Sequence, residues 1–236
     1  MALPFAFSPS SISTFRDCPR KFKLTKDKVI VWQETPSKQR GTLVHKYMEE
    51  QIKGVENPSV CPDGVNVYYT QDLINRFKPY REPKPDRQLF LEHEMCVNDK
   101  WKSCGWFDDD VMIRSRADLL VLDIVNRHAL VGDFKTGKIY PGMDLQLRTY
   151  ALMCYVLYGM LHITWELYYL DQGQTKSGTI EMTENDYSSC QDVLDIMTNA
   201  INCVNTGGFF PASKNIFCKF CSVYHDKNWC PESLSW

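Results

Sequence analysis

A-L-V-G-D-F-K-T-G-K, residues Ala129 to Lys138, begins as an apolar run and ends in charge and glycine. The run Ala129, Leu130, Val131 reads as a strand, and side chains on a strand alternate with period two. Asp133 and Lys135 therefore share one face, and Phe134 points to the other. An acid and a lysine side by side at a strand end suit metal-assisted attack on a phosphodiester. The acid holds a divalent cation, and the lysine steadies the attacking water or the charge that develops on phosphate. Upstream, Val111 to Asp123 (V-M-I-R-S-R-A-D-L-L-V-L-D) is β-rich, and Ile124 to Arg127 is short enough for a hairpin connection. A turn centred between Val125 and Asn126 pairs positions whose numbers add to 251, which sets Asp118 opposite Asp133 on the same face. A slip of one residue would separate the two carboxylates.

Gly132 to Lys138 also has the spacing of a phosphate-binding P-loop. That motif needs Ser or Thr next and a helix opening there; Ile139 follows instead, and Pro141-Gly142 favours a turn. An ATP-driven motor is therefore not expected. With 236 residues, 44% hydrophobic and 24% charged, the chain reads as an ordinary globular protein of one domain. Met1 to Ser13 lacks a basic segment ahead of an apolar run, and Tyr150 to Ile163 is too short to span a bilayer, so a cytoplasmic location without membrane association is expected. The net charge of −2 argues against a nucleic-acid partner, but its distribution does not. Residues 1–53 carry ten Lys/Arg against five Asp/Glu, concentrated at Arg16, Arg20, Lys21, Lys23, Lys26 and Lys28. That is enough for a modest phosphate-facing patch.

Ser8-Pro9-Ser10-Ser11 opens a helix that Ser10 or Ser11 can cap, with Pro19 placing Cys18 at a helix junction. Gly41 to Lys53 is a second helix, its face formed by Leu43, Val44, Tyr47, Met48 and Ile52, with His45 beside it and Gly54 ending it. Gln71 to Phe77 is a short helix, and Leu89 to Asn98 a strand with Glu92 and Glu94 on one face. Asp108-Asp109-Asp110 falls at a turn and reads as a solvated loop. Met143 to Met160 is a largely buried helix with Gln146 and Tyr150 four apart on one face. Ile163 to Leu170 and Thr175 to Met182 form a second hairpin; Thr183-x-x-Asp186 starts a last helix that Gly207-Gly208 stops. In the tail, Cys218-x2-Cys221-x8-Cys230 has metal-ligand spacing but is one donor short of four. His225 or a cysteine from elsewhere in the chain could complete it.

Together these segments resemble the RecB-like branch of the PD-(D/E)XK nuclease superfamily, and more closely its iron–sulfur members, the AddB nuclease domain and the CRISPR-associated Fe–S exonucleases. S-P-S-S-I-S-T-F-R-D-C-P-R-K-F-K-L is similar to the family's opening segment, G-T-L-V-H to its G-x-x-x-H helix start, and R-A-D-L-L to the strand of the first metal-binding acid. G-D-F-K-T-G resembles the D-x-K strand and Q-L-R-T-Y the Q-x-x-x-Y helix. Ser115-Arg116 stands where the family usually has a glycine.

The resemblance implies an α/β, restriction-endonuclease-like core with a central mixed sheet flanked by helices. It implies His45, Asp118, Asp133 and the Phe134 carbonyl as ligands for Mg²⁺ or Mn²⁺, with Lys135, Gln146 and Tyr150 completing the site. The earlier strand's acid would be Glu92 rather than Glu94. Cys18, Cys218, Cys221 and Cys230 would hold a [4Fe–4S] cluster joining the N-terminal helix to the tail. Four thiolates suit Zn²⁺ equally on chemistry alone. Residues 1–30 and 209–236 would form this cysteine region and 41–205 the catalytic core of a single domain over 1–236. The implied activity is DNA exonuclease action on single-stranded or end-exposed DNA, beside a helicase or recombination partner, with Arg16, Arg20, Lys21 and Lys23 on the DNA backbone. The alternative is a silent DNA-binding subunit.

Overall fold

The computed structural model describes residues 5–31, 34–139 and 144–231. Helices α1 (Pro9–Asp17), α2 (Pro19–Lys26), α3 (Pro36–Lys53) and α4 (Val67–Phe77) precede strands β1 (Arg87–Asn98), β2 (Val111–Asp123) and β3 (His128–Lys135). Helix α5 (Asp144–Tyr158), strands β4 (His162–Tyr169) and β5 (Gln174–Glu181) and helix α6 (Gln191–Asn205) follow. The strands form one five-stranded sheet in sequence order. Neighbours are antiparallel except β3 and β4, which are parallel. Parallel neighbours need a crossover rather than a turn, and α5 supplies it. The turn expected at Pro141-Gly142 lies outside the described residues.

Hydrophobic period places the helices in two layers. Ile12, Phe15 and Phe22 from α1 and α2, Ala151 and Leu152 from α5, and Val193 and Met197 from α6 pack with Leu120, Leu122, Ala129 and Val131 on one face. On the other face, Val44, Met48 and Ile52 from α3 and Leu73, Ile74 and Phe77 from α4 pack with Leu119, Val121, Leu130 and Phe134. Among the described residues, no helix is long and apolar enough to cross a membrane.

Local chemistry moves several boundaries. Ser8, not Ser10 or Ser11, caps α1: its Oγ accepts from Ser11 N–H at 3.3 Å while Ser11 Oγ accepts from Ser8 N–H at 2.7 Å. Pro9 then sits at the first helical position, where a missing N–H costs nothing. Thr35 and Pro36 likewise start α3 before Gly41, and Leu43 lies off the buried stripe, 57% exposed. Thr183 and Asp186 close a turn instead of capping a helix, and α6 begins at Gln191.

The β2–β3 hairpin has the register its turn requires, with Leu119 opposite Gly132 and Asp123 opposite His128. Gly132 is needed for close approach, because a Cβ there would lie 2.7 Å from the Tyr168 ring and 3.2 Å from Leu119 Cβ. Past this pair β2 changes face. Ile113 and Ala117 face the first core, Leu119 and Val121 the second, so odd-numbered side chains switch sides at Asp118. Glu92 lies across from that point in β1, between the pairs Leu91–Leu119 and His93–Ala117, with φ of +49°. A left-handed backbone is costly for a residue with a Cβ, and such strain gathers at functional sites. Beyond β3, Phe7 pairs with this part of β2, its N–H donating to Met112 O at 2.7 Å and its carbonyl accepting from Arg114 N–H at 2.9 Å.

Candidate active site

Three elements deliver one group of donors. His45 comes from α3, Glu92 from the strained turn of β1 and Asp118 from the switch point of β2. One donor atom from each lies within 4.8 Å of the other two. His45 Nδ1 is 3.3 Å from Asp118 Oδ1 and 3.7 Å from Glu92 Oε1. Its Nε2 lies 2.9 Å from the Phe134 carbonyl, which can only accept, so that nitrogen carries a proton. Asp118 Oδ2 accepts the Phe134 N–H at 2.6 Å, a side-chain bond that takes over where the β2–β3 ladder ends. Burial opposes charge on His45, but hydrogen bonds to Asp118 and Glu92, with the Asp118 and Asp133 charges, raise it to about 10. The Glu92 and Asp118 carboxylates face the His45 imidazole, and the Asp133 charge also acts on it. Carboxylate oxygens with one imidazole suit Mg²⁺ or Mn²⁺ better than a soft metal.

Asp133 belongs to an adjoining network. Its carboxylate is buried, ion-paired to the Lys135 ammonium, and accepts from Gln146 Nε2 at 2.8 Å. Gln146 Nε2 also donates to Tyr150 Oη at 3.1 Å, and Tyr150 donates to the Arg116 carbonyl at 3.0 Å. Desolvation and the Asp118 charge push Asp133 up to about 6, against the lowering effect of Lys135. Burial, and then the Asp133 and Asp118 charges, hold Tyr150 well above its ordinary value. Asp133 Oδ2 is buried and is the oxygen that the Lys135 ammonium pairs with. Glu92, the acid expected from the earlier strand, stands with His45 and Asp118, while the Asp133 carboxylate meets Lys135 and Gln146. A cleft of about 770 Å³ opens over the group, with Lys38, Lys46 and Arg116 among its walls.

Several of the N-terminal cations have partners within the chain. Arg16 pairs with Asp17 at 2.9 Å and Lys23 with Asp27 at 2.6 Å. Arg20 donates to the tail carbonyls of Phe210 and Trp229, and Lys21 lines a cavity among cysteines. Lys26 is drawn inward, bonding Ala6 O at 2.6 Å, and burial followed by the Arg114 charge lowers it to about 8. Cys104, Asp108 and Asp110 also approach one another, on an exposed turn where Asp108 bonds Gly105 N–H and Asp110 bonds Asn98, consistent with a solvated loop.

Cys18, Cys218, Cys221 and Cys230 all line one cavity of about 290 Å³ between α1, α2 and the tail. Cys18 both ends α1 and begins α2. Backbone N–H groups face two of the sulfurs, from Lys21 to Cys18 at 3.5 Å and from Asn215 to Cys218 at 3.3 Å. Tyr224 lines the cavity and, among the described residues, His225 does not. The tail is stitched to the N-terminal helices by Arg20 N–H to Pro211 O at 3.0 Å and Asn215 Nδ2 to Asp17 O at 2.8 Å.

A family model of the PD-(D/E)XK nuclease superfamily matches residues 6–231. No curated protein matches in sequence. Among solved structures, the chain is similar to SSO0001 with 16% identity and a TM-score of 0.47, over 97% of this chain and 86% of that one. It is similar to a candidate exonuclease from Eubacterium rectale with 14% identity and a TM-score of 0.47, over 93% and 86%. An alkaline exonuclease from Laribacter hongkongensis, LHK-Exo, matches at 12% identity and a TM-score of 0.34, over 87% and 92%.

Proposed function

Because the chain belongs to the PD-(D/E)XK nuclease superfamily, whose members use divalent metals, we propose that it is a Mg²⁺- or Mn²⁺-dependent DNA exonuclease of the RecB-like, iron–sulfur branch. Its substrate would be single-stranded or end-exposed DNA. The observation that carries this is the convergence of His45, Glu92 and Asp118 within 4.8 Å, beside the Lys135–Asp133–Gln146 network.

His45, Glu92 and Asp118 hold the cation, with the Phe134 carbonyl and Asp133 nearest behind them. When bound, that ion supplies a nucleophile at neutral pH and neutralises charge on the phosphate. His45 Nε2–H on the Phe134 carbonyl leaves Nδ1 aimed at the carboxylates. Lys135 orients the attacking water and stabilises charge on the phosphate, while Gln146 fixes the Asp133 carboxylate that steadies Lys135. Tyr150 fixes Gln146 in turn. Lys38, Lys46 and Arg116 line the way in for a polyanion.

The four cysteines would hold a [4Fe–4S] cluster. All four line one cavity; four thiolates suit Zn²⁺ equally on chemistry alone, and only the resemblance to the iron–sulfur members favours iron. The whole chain would act as one domain, with 1–30 and 209–236 as its cysteine region.

End-labelled linear and circular DNA, single- and double-stranded, incubated with Mg²⁺ or Mn²⁺, tests the activity. Stepwise loss from ends with circular DNA spared is expected. Intact DNA under every condition would overturn the proposal and leave a silent DNA-binding subunit, and cutting of circles would replace exonuclease with endonuclease action.

A further inference from the structure

A second cavity, of about 450 Å³, adjoins the cleft: Arg116 lines both, and Gln146 and Tyr150 line the cavity while bonding toward Asp133. The partly exposed Trp106 indole forms one wall, with the Arg114 and Arg116 guanidinium carbons 5.2 Å and 5.5 Å from its ring centroid. An aromatic ring layered with guanidinium groups is what a nucleobase stacks on, and the same cations attract the adjoining phosphate. The first turn of α1 supplies another wall through Ser10 and Ser13, at the end of a helix that favours anions.

An independent observation points to a ligand. Ser115 lines the cavity, is 3% exposed, and its Oγ has no hydrogen-bond partner. Among the described residues, only one other buried side-chain oxygen lacks a hydrogen bond, Asp133 Oδ2 in the site itself. A buried polar atom without a partner is costly, and a substrate that bonds it removes the cost.

We propose that this cavity seats one unpaired nucleotide of the substrate strand next to the cleaved bond, its base against Trp106 and its phosphate between Arg114 and the first turn of α1, with Ser115 bonding the nucleotide. The proposal rests on the nuclease function above and deepens it. A base held in a duplex is already stacked on its neighbours and cannot present its face to Trp106, so the cavity selects single-stranded DNA at the point of cleavage.

The test is fluorescence anisotropy in metal-free buffer with labelled oligo(dT) carrying one abasic position, moved stepwise along the strand. Wild type should lose affinity about 5- to 150-fold when the missing base is the one over Trp106. Trp106→Ala should be weaker by a similar factor on the intact strand, insensitive to that abasic position, and unaltered toward a blunt duplex. Trp106→Phe should restore most of the loss, which separates stacking from a folding defect. Ser115→Ala should weaken single-strand binding while its melting temperature stays level or rises, since the unpartnered oxygen is gone. An abasic scan that is flat in wild type, or unchanged in Trp106→Ala, overturns the proposal. If that protein still degrades DNA with Mg²⁺ or Mn²⁺, only the nucleotide cavity falls; if it neither binds nor degrades DNA, the nuclease function falls with it.

Discussion

Replacing Lys135 with alanine separates two roles that the structure gives one ammonium group. Lys135 is ion-paired to a buried Asp133 already pushed up to about 6 by desolvation and the Asp118 charge. At pH 7 a carboxyl group at that value is still mostly ionised, about ten to one. Without Lys135, Asp133 loses the largest influence holding it down and moves further up. Once it passes the working pH, each further unit costs the ionised form another factor of ~10. This indirect loss is reversible: raising the pH restores the carboxylate. A direct role on the reacting phosphate is not recovered that way, and removing one such electrostatic contact typically costs about 10²–10³ in kcat. The assay is single-turnover cleavage of labelled DNA by Lys135→Ala and wild type at pH 7 and at pH 9, each compared at the same pH. The expected result is a loss of about 10²–10³ at both values, with DNA binding intact. Recovery of the variant to near wild-type rate at the higher pH would refute direct action, leaving Lys135 a keeper of Asp133 ionisation.

In chelator, melting temperature should fall as pH rises from 7 toward 10. His45 is raised in the folded state, so its contribution is complete below its ordinary value of 6.5 and is lost as pH passes about 10. With the ring 32% exposed the effect is about 1–3 kcal/mol, and His45→Gln should flatten the profile in circular-dichroism melts. Gly132→Ala should cost about 1–3 kcal/mol in urea titrations, because the added methyl meets the Tyr168 ring and Leu119 from two sides. Anaerobic reconstitution with iron and sulfide should give a broad visible absorption that both Cys18→Ser and Cys218→Ser lose. Full iron content in Cys18→Ser would exclude the N-terminal ligand.

The sequence carried the hairpin because period two and a short turn leave one register that buries Leu119, Leu130 and Phe134 together. Gln146 and Tyr150 were legible for a similar reason, since residues four apart share a helix face whatever they touch. Glu92 and Glu94 are two apart on one strand face, and alternation treats them alike. What separates them is a single left-handed backbone angle at Glu92, while Glu94 pairs with Arg116. The N-terminal cations show a different limit of the sequence. Charge in sequence does not reveal partners: here Arg20 donates to the Phe210 carbonyl and Asn215 to the Asp17 carbonyl, each across most of the chain, while Lys26 packs by Phe5 and Phe22. Trp106 belonged to no pattern and Ser115 marked only a departure from the family's glycine; their meaning arises where a loop and a strand meet the start of α1.

That meeting gives the cysteine region a consequence for the site it does not touch. Phe7 pairs with β2, Ser8 caps α1, and α1 ends at Cys18, so one short segment runs from the sheet, past the Ser115 cavity, to the first thiol. Arg20 and Asn215 fasten the far end of that segment to the tail, where the other three thiols line the same cavity as Cys18. A nine-residue helix is too short to hold its place by its own hydrogen bonds. Its position must come from the buried Ile12 and Phe15 on one side and from the sulfur-lined junction at its end. Anything that loosens that junction lets the first turn of α1 drift from Arg114 and Ser115. Substrate binding would then weaken while the His45–Glu92–Asp118 group, held by α3 and the sheet, kept its arrangement.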